Sequence, residues 1–437
     1  MVGCVGCVRC VQRINAPNEP NALNELSGLD VNTSTETPPA AKVSPLTMSN
    51  GGASKANVGQ LALLTLAHLA DDFYAGFLSP LLPLLKERLN LSLVMVGALP
   101  PIFALSASGS QPLMGYLGER VGSRRLVILG VAFAALFMSC IGLAKGFASL
   151  VLIILIGGAG VSFFHPHGAA MTGKMSGEHR GLVMSIFLMA GAIGISVGPL
   201  FIVALVSHLT LERSYVAAVP GLAIAVVLWL FLRDAPGDGQ RREKPVFRKL
   251  FTAEMFPVFV LFLITVLRST VVIAFTNFIP LMLQERGEPL EAGARAIFML
   301  LFFGSLGGMW GGFLSDRFSR AKIIFLSSVL ACPFFAAFLT TQGVTAYVLL
   351  AVAGAVIQAS TPVGIVMGQE MRPESASMVS GLMMGFGWWF GSMPMPLLAM
   401  LADRTSMRTA LLVSCSACLL AGALVFALPK GVRGRKR

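Results

Sequence analysis

The stretch GYLGERVGSRR, Gly115 to Arg125, returns later in the chain as GFLSDRFSRAK, Gly312 to Lys322. Both copies run Gly, Leu, an acid, an Arg and a closing basic residue, 197 positions apart (312 minus 115). Each copy follows one long apolar run and precedes another. Two more landmarks repeat in the same order at nearly the same separation. Pro83 matches Pro280, and His165-Pro166-His167-Gly168 matches Thr361-Pro362-Val363-Gly364. The chain therefore reads as two copies of one unit.

What the unit is follows from composition. The 437 residues are 55% hydrophobic and only 12% charged, with mean hydropathy +0.77. Soluble domains carry about a quarter charged residues. The apolar runs are continuous, not alternating, and many are long enough to span a bilayer as helices. A β-barrel would alternate. Twelve spans are predicted, near 58–85, 91–117, 125–144, 148–172, 181–206, 214–233, 255–283, 292–315, 322–341, 345–368, 377–402 and 407–428. The expected fold is an all-α membrane protein of twelve transmembrane helices in two pseudosymmetric six-helix bundles. The bundles cover 57–233 and 255–428, joined by a cytoplasmic linker over 234–254. Parallel repeats of this kind place a substrate site between the halves, near the midplane.

The net charge of +12 does not signal nucleic acid, because the Lys and Arg are scattered between apolar runs. They are biased to one side. With both termini in the cytoplasm, that side holds Arg120, Arg124, Arg125, the linker cluster and the basic tail 429–437. Residues 1–56 are rich in polar residues and proline, and read as a disordered cytoplasmic tail, with Met48 as a possible alternative start. Cys4, Cys7 and Cys10 lie in that tail without a nearby fourth ligand, and no metal site is assigned to them. Cys140, Cys332, Cys415 and Cys418 read as small packing residues.

Ionisable residues inside a span are costly and usually face a cavity or a partner. His68, Asp71 and Asp72 lie in span one, and Arg268 lies at the equivalent depth of span seven. The repeat offset carries Asp71 or Asp72 onto Arg268. Adjacent helical residues point about 100° apart, so one Asp is expected toward the cavity and the other toward a neighbouring helix. His68 precedes Asp72 by one turn and shares its face. His165 and His167 occupy span four. Imidazoles relay protons, bind metals or simply pack through hydrogen bonds. Glu370, at the end of span ten, reads as a gate or helix-end lock. Of Trp388 and Trp389, one is expected to reach the cavity.

The loop pattern at Gly115, Glu119, Arg120, Gly122, Arg124 and Arg125, echoed by Asp316, Arg317 and Arg320, resembles the signature loop of the major facilitator superfamily. Its arginines and acids would form a charge lock that holds one gate closed. Departures are Glu119 for the usual Asp, Ser123 within the basic cluster and Ser319 for the second-copy Gly. The segment GAIGISVGPL, with Gly194, Gly198 and Pro199, resembles a Gly-Pro element associated with antiporters in that superfamily, where small residues let helices approach closely. HLADDFYAGFLSPLLPLL, FFHPHGAAMTGKMSGEHRGLVMSIF, LRSTVVIAFTNFIPLML and GQEMRPESASMVSGLMMGFGWWFG look like the fosmidomycin-resistance branch. That branch commonly has Asn where this chain has Asp71, and Glu where it has His167.

The resemblance implies that spans one and seven line the central cavity, with Asp72 as the proton-linked or Arg268-pairing carboxylate. It implies a monomeric transporter in a bacterial inner membrane, exporting a small organic molecule or drug in exchange for protons. Proton-coupled symport of an organic anion, transition-metal transport and a non-transporting sensor or scaffold remain as alternatives. There is no Walker loop and no H-E-x-x-H helix. No catalytic constellation and no cofactor are expected.

Overall fold

A computed structural model describes residues 57–235, 255–373 and 376–429. The Cys4, Cys7 and Cys10 tail, most of the central linker and the basic end lie outside the described residues, as do the side chains of Glu119 and Arg120. Among the described residues there is no strand, and eleven helices are long and apolar enough to cross a membrane. They are α1 Val58–Arg88, α2 Leu93–Leu117, α3 Ser123–Leu143, α4 Phe147–Met175, α5 Gly177–His208, α6 Leu211–Phe231, α7 Phe256–Glu285, α8 Leu290–Ser315, α9 Arg320–Thr340, α10 Gly343–Met371 and α12 Met407–Ala427. Between the last two lies α11, which is broken into Ala376–Gly381, a π-turn at Leu382–Phe386, Gly387–Ser392 and Met395–Arg404. The sequence predicts one continuous span there. The π-turn and the Gly-rich run around it interrupt the regular ladder.

Local chemistry sets the helix ends. The side chains of Asn57, Ser92 and Ser406 accept from the backbone N–H of Gln60, Met95 and Thr409, satisfying donors that a helix start leaves unpaired. Arg124 donates to the carbonyls of Leu232 and Trp229 at 2.6 and 2.5 Å, tying the start of α3 to the end of α6. Gly122 has φ 95°, which an L side chain rarely adopts, and turns the chain from α2 into α3. Its repeat mate Ser319 has φ −58° and needs no glycine, which accounts for the departure noted in the second loop.

The repeat is visible in contacts the sequence does not announce. Arg88 donates to the Gly142 carbonyl, and Arg286 donates to the Leu339 carbonyl at 2.7 Å. Gly142 and Leu339 are 197 positions apart, so each half closes the same end with the same tie.

The apolar core shows how the halves meet. One large cluster runs through both halves on the side where α1 ends, from Phe77, Leu81 and Leu99 to Phe275, Phe278, Met395 and Ala399. On the side where α1 begins there are two separate clusters. Leu64, Val127, Phe164, Phe187 and Leu228 form one in the first half, and Leu261, Ile264, Ile324, Met367 and Val379 form the other in the second. Hydrogen bonds between the halves follow the shared cluster. Ser79 donates to Asn277 Oδ1 at 3.0 Å, Gln284 to Glu87 at 2.5 Å and Ser207 to Glu291 at 2.5 Å. Large apolar side chains such as Trp229, Leu230, Phe231 and Trp310 are exposed around the outside, as a lipid-facing surface requires.

Candidate functional site

Span one is held tightly against span five, and glycine makes that possible. A Cβ on Gly194 would stand 2.2 Å from the Leu69 carbonyl oxygen, and one on Gly198 would stand 2.1 Å from the Phe73 oxygen. On the facing side, a Cβ on Gly76 would meet Pro199 at 3.1 Å. Helices with side chains at these points could not approach so closely. Gly194 to Gly198 also spells G-x-S-x-G, the letters of a nucleophile elbow. Ser196 lies within α5 and donates to the Ala192 carbonyl at 2.6 Å, so it is a helical serine and not an exposed nucleophile.

The close approach carries His68, Asp71 and Asp72 into the bundle. His68 Nε2 lies 3.3 Å from Asp72 Oδ2, one turn away as the spacing predicts. From α4, His165 Nε2 reaches Asp72 Oδ1 at 3.1 Å and Asp71 Oδ2 at 3.7 Å. The two aspartates share one neighbour although their side chains point in different directions. They do diverge, with Asp71 fully buried and the Asp72 side chain 15% exposed, but His165 stands between their directions and touches both. Neither Asp71 oxygen has a hydrogen-bond partner. Gly191 leaves room for the group, since a Cβ there would stand 2.5 Å from both Asp72 Oδ2 and His68 Nε2.

Hydrogen bonding constrains the proton positions. His68 Nδ1 lies 2.8 Å from the Phe187 carbonyl, which can only accept, so Nδ1 carries a hydrogen. The opposite nitrogen, facing a carboxylate, then attracts it only if a second proton or another cation sits there. His165 has one Nε2 to serve two carboxylates. The donor atoms of His68, Asp72 and His165 all lie within 4.8 Å of one another, so they could hold one small cation, a proton or a transition-metal ion.

His167 is not in this cluster. Its Nε2 donates to the Met114 carbonyl at 3.0 Å, toward α2. Arg268 is not there either. The predicted pairing of Arg268 with Asp72 is absent from this conformation, because the guanidinium Nη2 donates to the Ile357 carbonyl and to Thr361 Oγ1 (3.4 Å) on α10. Thr361 is the repeat mate of His165. Each half thus joins its first helix to its fourth through equivalent positions, with a carboxylate–imidazole pair in one and a guanidinium–hydroxyl pair in the other. Sequence reasoning aligned Thr361 with His165 without assigning it a role, and the repeat offset was the signal that could have done so. Beside Arg268 lies a cavity with about 440 Å³ of empty space, including space open to solvent, bordered by Thr265, Ser269, Gln358, Thr361, Met384 and Trp388. Trp388 borders it, while Trp389 packs on Gly109 of the other half, 3.1 Å from a Cβ built there.

Among the described residues, the second charged loop makes its contacts within its own half. Arg320 forms a two-pronged ion pair with Glu370, joining the start of α9 to the end of α10. The Arg317 guanidinium sits 4.6 Å from the centre of the Phe313 ring, and Asp316 caps α8. Gly115 stands near Pro166, and Arg125 is exposed.

The chain is similar to known transporters in sequence and fold. The chain is 24% identical to the fosmidomycin resistance protein of Escherichia coli strain K12, covering 86% of this chain and 94% of that protein. It is 23% identical to the hexuronate transporter of Bacillus subtilis strain 168, covering 68% of this chain and 77% of that one. A bacterial homologue of the human lysosomal transporter Spinster, solved in an inward-facing and unoccupied conformation, superposes with a TM-score of 0.69 at 17% identity, over 88% of this chain and 99% of that chain. With two six-helix halves in place and residues 64–387 matching the family model, the chain belongs to the Major Facilitator Superfamily.

Proposed function

We propose that this protein is a proton-coupled secondary transporter that exports a small organic molecule by alternating access. The observation that carries the reading is the cluster of Asp71, Asp72, His68 and His165 at the seam of α1, α4 and α5. A structural scaffold gains nothing from two carboxylates and two imidazoles buried together, whereas a proton carrier needs groups whose charge depends on protons. The face where α1 begins is taken as cytoplasmic, since the basic loops gather there.

On that reading the shared apolar cluster seals the outer face, and the cavity beside Arg268 belongs to the cytoplasmic path. Solute enters from the cytoplasm. The halves then rock, part the outer cluster and turn the cavity outward. Protons from outside load the carboxylate–imidazole group as the solute leaves. Return of the halves carries them inward, and the proton gradient drives the cycle. The name of the fosmidomycin resistance protein fits export, while the hexuronate transporter keeps symport as the competing direction.

The test is reconstitution in vesicles with an imposed proton gradient and a panel of drugs, organic anions and transition-metal ions. Export driven by inward proton flow is expected. Accumulation together with protons would establish symport instead, metal flux would reassign the cluster as a metal path, and no flux would leave a non-transporting protein.

A further inference from the structure

Arg268 is a buried cation without an anion. It is 5% exposed, its Nε has no hydrogen-bond partner, and no carboxylate lies within ion-pair distance among the described residues. Its Nη2 contacts are a backbone carbonyl and a hydroxyl, both neutral. Neutral acceptors satisfy hydrogen bonds but leave the charge uncompensated in a low-dielectric setting.

The hydrogen-bond chain around it runs in one direction. Arg268 donates to Thr361, and Thr361 donates to Gln358 Oε1 at 2.9 Å. The Gln358 carbonyl is thereby used, and its amide nitrogen is left to donate. The polar wall of the cavity therefore presents donors, from Arg268 and Gln358, backed by a positive charge. The same lining carries apolar side chains, among them Trp388 and Met384.

We propose that the solute is a small organic anion whose acidic head binds Arg268 and Gln358 and whose flat apolar body lies against Trp388. A planar carboxylate matches the guanidinium fork, and a phosphonate offers the same acceptor chemistry. The assignment rests on the reading of this cavity as the transport path.

Binding to the purified full-length protein tests it, with 3-phenylpropionate, phenylphosphonate and the neutral 3-phenylpropionamide as probes. Tryptophan fluorescence gives the affinities, and exchange across vesicles without a proton gradient gives translocation. One of the two acids is expected to bind about tenfold to a hundredfold tighter than the amide. Which acid does so distinguishes a carboxylate from a phosphonate site. Arg268→Gln is expected to remove the preference and Arg268→Lys to keep part of it. The comparison within the unmodified protein stands even if a variant does not fold. Equal binding of acid and amide, no saturable binding of either acid, or a preference that survives in Arg268→Gln overturns the proposal. Acid binding through Arg268 without proton-linked flux keeps the anion site and refutes the coupling. Proton-linked flux of the amide with the acids inert does the reverse.

Discussion

Asp71 is fully buried, and among the described residues the ionisable groups beside it are His165, at 3.7 Å, and the adjacent Asp72. A buried carboxylate without a hydrogen-bond donor destabilises its surroundings by about 1–3 kcal/mol. Asp71→Asn is therefore expected to raise the thermal unfolding midpoint in detergent while slowing proton-linked flux. An unchanged midpoint would show that the carboxylate is better solvated than its surroundings indicate. Gly191→Ala works on the same group by crowding. Its Cβ would collide with both His68 and Asp72, so proton coupling should fall while the protein still folds and inserts. Wild-type coupling in that variant would mean the cluster tolerates displacement. Half of this cluster is legible in the sequence, because His68 and Asp72 stand one turn apart on a helix whatever surrounds it. His165 stands out as an ionisable residue within a span, but its contact with the two aspartates is not legible, since that depends on how α4 crosses α1. The Arg268–Asp72 pairing rests in the sequence on equivalent depth, the repeat offset and the family resemblance, and none of these says which partner a side chain meets in a given conformation.

At the scale of elements, glycine has two separate roles. Gly194 and Gly198 let α5 touch the backbone of α1, so Gly198→Val should separate the helices and sharply lower the yield of folded protein. Replacement of Gly122 acts on the turn instead. Alanine at φ 95° costs about 1–3 kcal/mol, whereas Ser319→Gly should change stability far less. Paired unfolding measurements on the two loop variants check this, and equal effects would contradict it. Span positions were legible to within a few residues, because continuous apolar runs bounded by charges leave little choice. The breaks in α11 were not, since a π-turn depends on packing against α2 and leaves no hydrophobic period of its own.

Across the whole molecule, the core is continuous on one face and divided on the other. The repeat made two halves legible, but their relative position is set by contacts between spans far apart in sequence. Joining positions 79 and 277 should hold the sealed face shut. Ser79→Cys with Asn277→Cys, treated with a short cleavable bifunctional thiol reagent, is expected to stop flux, and cleavage of the link to restore it. Full flux in the linked protein would place the moving gate elsewhere. On the proposed cycle the carboxylate–imidazole group carries the protons. The most direct test loads vesicles with a pH-sensitive dye and follows proton movement on addition of a transported solute, for the unmodified protein and Asp72→Asn. Solute-dependent proton movement should vanish in the variant while solute exchange without a gradient persists. Proton movement at the unmodified rate in Asp72→Asn would show that this group does not carry the protons.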